Sequence, residues 1–263
     1  MKNLINVKNV GNVAICTLNL PAKRNPISPE MRRAILKFMD ECRLCKSVDC
    51  IILTGSGNTF CSGLDLDNLQ HQATFSAKKH LADSKSIRSF FEYIYHYPKP
   101  TIAAVNGPAV AGGCGLAMVC DIAIASTEAY FMFSEVKIGF VPALVGIYLE
   151  RIAGPRLTRE ILFTARKVSS EEARAIGLVN CVCPASELLD QAQRLAAQIC
   201  QNSPMALKLT KELLSRASHL PFQSALDLAV RYNARARRTS DCAEGIRSFL
   251  EKRKPDWSRS IEA

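Results

Sequence analysis

Short apolar runs recur along the first 185 or so residues, and most of them end at Gly, Pro or Asn. They occupy residues 13–20, 50–54, 101–105 and 122–125. Runs of this length that are rich in Val, Ile and Ala and bounded by turn residues are typical of buried strands. The pattern therefore predicts four strands of a sheet.

Apolar residues with helical spacing separate these strands. A helix is predicted to begin at Ser28-Pro29-Glu30, because Ser can cap a helix, Pro fits the first turn and Glu faces the positive end. Further helices are predicted over residues 77–97 and, for about two turns, over 116–120. Strand–helix alternation indicates parallel strands joined by crossovers, so the predicted fold class is α/β.

After about residue 185 the pattern predicts helix almost throughout. Four capped segments begin near Ala185, Ser203, Pro221 and Ser240. This change predicts two parts, a core domain at residues 1–195 and a helical C-terminal region at residues 196–263.

The chain carries a surplus of positive charge. It has 34 Lys and Arg against 24 Asp and Glu, a net charge of +10. Such a surplus attracts polyanions, meaning nucleic acid, an acidic membrane or a phosphorylated small molecule. No zinc-finger spacing, RNA-reading aromatic motif or basic heptad accompanies the basic runs at 231–238 and 251–254, so nucleic acid is not the expected partner. A solvated basic surface is the alternative interpretation.

The cysteines and the apolar runs bear on location. Eleven cysteines in 263 residues do not form a disulfide framework. No secretory signal is visible at residues 1–10, and every apolar run is well below the roughly 20 residues of a membrane span. A cytoplasmic location with reduced thiols is expected, without a membrane partner. The close pairs Cys42/Cys45 and Cys181/Cys183 lack a second pair at zinc-site spacing, so no metal site is predicted.

Several common active-site motifs are missing. The sequence has no G-x-S-x-G, HExxH or Walker motif. The run 112–115 (GGCG) follows a strand but fails the spacing of a dinucleotide-binding turn, because Met118 stands at the third glycine's place. The histidines have no partner pattern and are interpreted as structural or exposed: His71, His80, His96 and His219.

Two glycine turns suggest a different chemistry. One lies at residues 60–66 (FCSGLDL), after a predicted strand, and the other at 112–115, before a predicted helix. Glycine lets the backbone approach a ligand closely, and N–H groups at a helix start lack internal acceptors. Two such amides can stabilise one developing carbonyl anion. Tight helix–strand packing is the alternative explanation.

Six motifs occur in order between about residues 13 and 257. They are 20–26 (LPAKRNP), 60–66 (FCSGLDL), 106–121 (NGPAVAGGCGLAMVCD), 134–142 (SEVKIGFVP), 164–179 (TAR, then AxxIGLV) and 244–255 (EGIRSFLEKRKP). Together they resemble the motifs of the enoyl-CoA hydratase/isomerase (crotonase) superfamily.

The resemblance implies a crotonase-like spiral of beta-beta-alpha units and a helical C-terminal trimerisation region, assembled as a homo-trimer or hexamer. It implies an oxyanion hole at the backbone N–H groups of Leu64 and Gly112, which stabilises a thioester enolate, and an acid/base carboxylate at Glu135. CoA is then part of an acyl-CoA thioester substrate, and no separate cofactor is expected. Binding residues implied by the resemblance are Lys23, Arg24, Ser62, Gly63, Asp65, Gly113 and Gly115, with Phe249 and Lys252 from a neighbouring subunit.

The sequence departs from the family pattern at one catalytic position. Hydratases of this superfamily carry two glutamates; here the later one is Glu135, and the earlier position is Gly115. Hydration needs a base for water and an acid for the alpha carbon, whereas one glutamate can move a proton between C2 and C4. We therefore expect isomerisation of a 3-enoyl-CoA to a 2-enoyl-CoA, and a gain of hydration on Gly115→Glu. Carboxylates that could replace the missing group are Asp65, Asp67 and Glu150.

Three alternatives remain open. Residues 136–145 resemble hydratases, including methylglutaconyl-CoA hydratases, which favours a 2-enoyl-CoA hydratase. An acyl-CoA decarboxylase would use the same enolate and need only the oxyanion hole. A catalytically inactive member that binds acyl-CoA or RNA is compatible with Gly115 and the net charge of +10.

Overall fold

A six-stranded sheet forms the centre of the chain in a computed structural model, which describes residues 3–65 and 74–257. The strands are β1 (Ile5–Val10), β2 (Val13–Leu18), β3 (Cys50–Gly55), β4 (Thr101–Val105), β5 (Ala109–Val110), β6 (Ile122–Ser126), β7 (Tyr130–Met132), β8 (Lys167–Ser169) and β9 (Cys181–Cys183). The central sheet has the order β1-β2-β3-β4-β6-β9, and β5-β7-β8 form a smaller sheet. In the central sheet only the β1–β2 pair is antiparallel, which confirms the prediction of parallel strands.

Of the nine α-helices in the described residues, six begin within three residues of a predicted start, one begins earlier than predicted, and two, at Ala143 and Ser170, were not predicted. The nine helices are α1 (Pro29–Leu44), α2 (Ala77–Tyr95), α3 (Gly112–Met118), α4 (Ala143–Thr164), α5 (Ser170–Ala175), α6 (Leu188–Ile199), α7 (Pro204–Ala217), α8 (Phe222–Ala236) and α9 (Ser240–Leu250). Helix α1 begins as predicted, because the Ser28 hydroxyl accepts a hydrogen bond from the Met31 amide at 3.1 Å.

Alternate residues of the central strands point to two separate hydrophobic clusters. Ile51 and Leu53 of β3 belong to the cluster that also contains buried residues of α1, α2, α3 and α4. Cys50 and Ile52, on the opposite face of the same strand, pack with residues of α6. Because both faces are covered, the strands are apolar at nearly every position, and this is why they read as continuous runs in the sequence.

A strand of the large sheet, a short strand or bridge of the small sheet and a helix follow one another repeatedly along the chain. β4, β5 and α3 form one such unit, and β6, β7 and α4 form the next. The preceding unit consists of β3, a single bridge between Cys61 and Ala109, and α2. This succession is the spiral of beta-beta-alpha units that the sequence motifs implied.

Two sequence predictions need correction. The short helix predicted at 116–120 is α3, which starts four residues earlier, so that Gly112 and Gly113 form its first turn. Glycine disfavours helix, and the pattern therefore concealed the true start. The strands of the small sheet are only two or three residues long and escaped prediction, because so short a run has no periodicity to read.

The C-terminal helices pack in two different ways. Leu188, Ala192 and Ala196 of α6 lie against the central sheet. Met205, Leu209 and Tyr232 of α7 and α8 form a separate small cluster. The predicted division between residues 195 and 196 falls within α6, and it stays a prediction. Within residues 3–65 and 74–257, no helix has both the length and the apolar character needed to cross a membrane.

One buried asparagine secures the loop that precedes α1. The side-chain amide of Asn25 donates to the carbonyl oxygens of Ser56 and Thr59 at 2.9 and 2.8 Å. Its side-chain oxygen accepts from the Leu20 amide at 2.9 Å. Asn25 also adopts a φ of +54°, which asparagine tolerates better than most residues. The loop is thereby fixed to the end of β3.

We expect Asn25→Ala to lower the free energy of unfolding by about 2–4 kcal/mol, because three buried backbone groups lose their partner. Chemical denaturation with an unchanged m-value measures this loss. Asn202→Ala is the matched control, since Asn202 is exposed and its bonds are longer, at 3.3 and 3.4 Å. Equal losses in the two variants would contradict this role for Asn25.

Candidate active site

The two glycine turns lie against each other at the carboxyl ends of β3 and β4. A methyl group in place of the Gly63 hydrogen would lie 3.0 Å from the Gly112 nitrogen and 2.7 Å from the Val110 oxygen. Gly63 also has a φ of +87°, a conformation that side chains rarely adopt. A methyl group on Gly112 would lie 3.7 Å from the Leu64 nitrogen. The structure therefore brings the amides of Leu64 and Gly112 together, as the motifs implied.

Neither of these amides has a hydrogen-bond acceptor among residues 3–65 and 74–257. Gly112 is the first residue of α3, where an N–H has no acceptor within the helix. The preceding residue, Ala111, is held at φ +50° and ψ −117°. Such strain in a non-glycine residue is concentrated at functional sites. The two amides can thus donate to one ligand oxygen.

Glu135 is tied to the same turn through β7. The Ala111 amide donates to the Met132 carbonyl at 2.8 Å, and Glu135 follows Met132 by three residues. Cys114 of α3 is close enough to Glu135 for the two to interact electrostatically. The hydrogen bond between Ala111 and Met132 therefore connects the start of α3 to strand β7, and β7 leads to Glu135.

The Glu135 carboxyl group is buried. The residue is 8% exposed, and its Oε2 atom has no hydrogen-bond partner in the described part of the chain. Burial raises the pKa of Glu135, with a hydrogen bond from its own backbone acting in the opposite direction. A buried carboxylate with one oxygen lacking a partner and a raised pKa has the properties of a general acid/base.

Gly115 faces a packed wall instead of open space. A Cβ atom at this position would lie 2.9 Å from Phe91 Cζ and 2.9 Å from Val145 Cγ1. Cβ atoms do not approach neighbours this closely, so any side chain would have to displace one of them. Gly115→Glu therefore requires movement of one of these side chains, and the gain of hydration expected from it stays a prediction.

The other carboxylates considered as replacements are not brought beside Glu135 by any described contact. Asp65 is half-buried directly after Leu64 in the first turn. Glu150 is exposed on α4 and lines a cavity of about 350 Å³ together with Val136 and Phe140. Asp67 lies outside the described residues.

Comparison with known proteins agrees with this arrangement. The family model for enoyl-CoA hydratase/isomerase matches residues 8–260. A Thermus thermophilus protein that is named as an enoyl-CoA hydratase is 44% identical over 93% of this chain and 97% of its own. A short-chain-enoyl-CoA hydratase of Clostridium acetobutylicum is 33% identical over 96% of both chains. The crystal structure of an enoyl-CoA hydratase of Mycobacterium smegmatis superimposes with a TM-score of 0.91 at 30% identity, covering 97% of this chain and 99% of that one.

The chain belongs to the enoyl-CoA hydratase/isomerase family. Its crotonase fold, which the sequence motifs implied, is confirmed by the solved structures that it matches. The Thermus thermophilus and Clostridium acetobutylicum relatives are named for enoyl-CoA hydration, which agrees with two amide donors and a buried carboxylate near the start of α3.

In this family member the loop at residues 20–27 is hydrogen-bonded to the turn at residues 60–65. We call this turn the oxyanion turn, after its expected role. The Ser62 amide donates to the Arg24 carbonyl at 3.0 Å, and the Ile27 amide donates to the Gly63 carbonyl at 2.7 Å. Lys23 and Arg24 are exposed on this loop. Arg24, one of the residues expected at the substrate, is thus attached by a backbone bond to another, Ser62.

Gly113 and Cys114 serve packing in the first turn of α3. A side chain on Gly113 would collide with the Cys61 carbonyl. Cys114 is buried and its thiol donates to the Ala109 carbonyl at 3.0 Å. Burial raises the pKa of this thiol well above its ordinary value, so Cys114 stays protonated and is not a nucleophile. Among the described residues, no group of three or more His, Cys, Asp or Glu side chains could hold a metal ion.

The two residues expected from a neighbouring subunit lie at the far end of the chain. Phe249 is 83% exposed near the end of α9, and Lys252 follows the helix at a φ of +53°. The Lys252 amide donates to the Phe249 carbonyl at 3.2 Å. The described contacts do not join either residue to the oxyanion turn.

Sequence reasoning missed three features of the site. Asn25 lies inside the motif at residues 20–26, and the residue type was the available signal for a positive φ, because asparagine tolerates this conformation. The strain at Ala111 has no sequence signal. Phe91 and Val145 are distant from Gly115 in sequence, and only the folded structure shows that they meet there.

The raised pKa of Glu135 predicts a pH-dependent effect on stability. Since the folded-state pKa exceeds the unfolded-state pKa, stability from this group is present below the unfolded-state pKa and is lost as pH rises through the folded-state pKa. Glu135→Gln, which stays neutral, should therefore unfold at a higher temperature than wild type at about pH 8. The difference should shrink as the pH falls toward the ordinary glutamate pKa of 4.5.

Thermal unfolding across this pH range measures the effect. Glu128→Gln is the control, because Glu128 is exposed on the loop before β7. A stability difference for Glu135→Gln that is the same at every pH would contradict a raised pKa of Glu135 in the folded protein.

Proposed function

We propose that the protein isomerises a 3-enoyl-CoA to a 2-enoyl-CoA, with Glu135 as the acid/base group and the amides of Leu64 and Gly112 as the oxyanion hole. The observation that carries this proposal is that, within residues 3–65 and 74–257, Glu135 is the one buried carboxylate connected to the start of α3, while packed side chains fill the space beside Gly115.

The proposed reaction consists of two proton transfers. The Glu135 carboxylate removes a proton from C2, and the electron pair moves into the thioester to give a dienolate. The two amides stabilise its oxygen, and each such donor contributes about 10²–10³ in rate. Protonated Glu135 then returns a proton to C4, and the double bond moves from C3–C4 to C2–C3. The raised pKa of Glu135 supports both steps, because a carboxyl group whose pKa is closer to the working pH can both accept and donate a proton.

Hydration of a 2-enoyl-CoA is the second candidate. The names of the relatives favour it, since those at 44% and 33% identity are both named as hydratases. In that case a group other than a carboxylate at residue 115 must activate the water. Asp65 and Glu150 are the described candidates for that role.

A panel of 2-enoyl-, 3-enoyl- and malonyl-type CoA thioesters tests the proposal. We expect isomerisation of the 3-enoyl substrate, and Glu135→Gln should lower its turnover by about 10²–10⁴ with little change in substrate binding. Glu128→Gln is again the matched control.

Two results would overturn this function. One is full isomerase activity in Glu135→Gln. The other is hydration of the 2-enoyl substrate at ordinary enzyme rates by a wild-type protein that leaves the 3-enoyl substrate unchanged.

We further propose that basic residues hold the CoA moiety and that the protein assembles as a homo-trimer or hexamer. Lys23 and Arg24 are exposed beside the oxyanion turn, which supports contacts with CoA phosphates. The 83% exposure of Phe249 supports a contact made across subunits, together with Lys252.

Affinity for CoA thioesters should fall with salt, because exposed charges are screened within about 10 Å at 0.1 M ionic strength. Lys23→Ala and Lys252→Ala should each weaken binding and flatten its salt dependence, as measured by calorimetric titration. Lys37→Ala is the control, since Lys37 is exposed on α1 beside Glu41. Affinity that is independent of salt and unchanged in both variants would count against this binding mode.

A further inference from the structure

Two apolar side chains from separate helices close the space beside Gly115. Phe91 belongs to α2 and Val145 to the first turn of α4. Each has an atom 2.9 Å from the point where a Cβ on residue 115 would lie, and a second Phe91 atom is at 3.3 Å. We refer to these two residues as the apolar wall.

Both residues of the apolar wall are packed against other buried side chains. Phe91 and Val145 are 2% and 4% exposed, and both belong to the main hydrophobic cluster. The Phe91 ring lies 5.5 Å from the Phe90 ring and packs edge-on against Tyr148, centroid to centroid at 6.5 Å. Neither wall residue can therefore move aside without disturbing packed neighbours, which is costly in a dense core.

The wall packs against the helix that begins with the Gly112 amide. The Gly115 amide donates to the Ala111 carbonyl at 3.3 Å, and the Ala111 amide donates to the carbonyl of Met132, three residues before Glu135. A carboxylate at residue 115 would need the volume that the wall fills. A water molecule held at that place would likewise face apolar atoms, without the polar partners that an ordered water requires.

We propose that Phe91 and Val145 are specificity-determining residues, which exclude a second carboxylate and the water it would hold. This inference rests on the proposed function, and it explains why the protein would isomerise its substrate and not hydrate it. With the wall in place, the same proton travels from C2 to Glu135 and on to C4. Without the wall and with a carboxylate at residue 115, water can lose a proton to that carboxylate and add its hydroxyl to C3, while Glu135 delivers a proton to C2.

A paired set of variants tests the wall directly. Hydration of a 2-enoyl-CoA is compared in wild type, Gly115→Glu, Phe91→Ala and the double variant Gly115→Glu/Phe91→Ala. The double variant should hydrate at least tenfold faster than either single variant or wild type. Gly115→Glu/Phe38→Ala is the matched control, because Phe38 is a similarly buried phenylalanine of the same hydrophobic cluster, on α1, and it is not among the atoms nearest to residue 115. The control should show no gain.

A gain in Gly115→Glu alone that equals the double variant would overturn the inference, and so would an equal gain in the Phe38 control. If the Phe91→Ala pair does not fold, as judged by thermal unfolding, the same comparison is made with Gly115→Glu/Val145→Ala. Absence of any gain in every folded double variant also overturns it.

A second measurement does not need a new carboxylate. In D2O, wild type should transfer much of the C2 proton to C4, whereas Phe91→Leu should at least double the deuterium found at C4. A purely structural role for Phe91 would lower the rate and leave this isotope ratio unchanged. Complete exchange with solvent in wild type would overturn the exclusion of water.

Failure of the proposed function is recognised separately. It is seen in wild type alone, as a lack of isomerisation of the 3-enoyl substrate. Failure of the inference is seen when wild type isomerises but neither hydration nor the isotope ratio responds to changes in the wall.

Discussion

The site depends on one backbone contact, between the turn at Gly63 and the start of α3 at Gly112. β3 and β4 are adjacent and parallel, so their carboxyl ends lie side by side and the chain leaves both at the same edge. The Cys61–Ala109 bridge continues this pairing beyond the sheet. Two amides from separate segments therefore reach one point, and any side chain at Gly63 would push them apart.

The charges of the site follow from the same packing. Amide donors at the start of α3 favour negative charge on a ligand oxygen. Glu135, reached through β7 and the Ala111–Met132 hydrogen bond, is buried where ionisation is unfavourable. In the proposed mechanism, the two amides stabilise an anion on the ligand, and burial disfavours the ionised form of Glu135. A proton can pass between substrate and protein at low cost when both conditions hold.

Sequence reasoning recovered the parts that have a local signal. The strand at 101–105 was predicted at its observed bounds, and the cap at Ser28 was recognised from three consecutive residues. The start of α3 was placed too late, because glycine is a poor helix former and here serves close approach instead. The wall at Gly115 could not be predicted, because it is made by residues of three helices that meet only in the folded chain.

This difference bears on what similarity to relatives conveys. An oxyanion hole of backbone amides needs a particular course of the chain, and that course persists at 30% identity in a solved structure with a TM-score of 0.91. The choice between adding water and moving a proton depends, in the scheme proposed here, on one position in α3 and on the side chains facing it. A change of fold is not needed to alter that choice, since replacing a carboxylate by packed apolar atoms removes a charge and its water together. The hydratase names of relatives bear directly on the substrate class, whereas in the scheme proposed here the reaction depends on the contacts of Glu135 and Gly115.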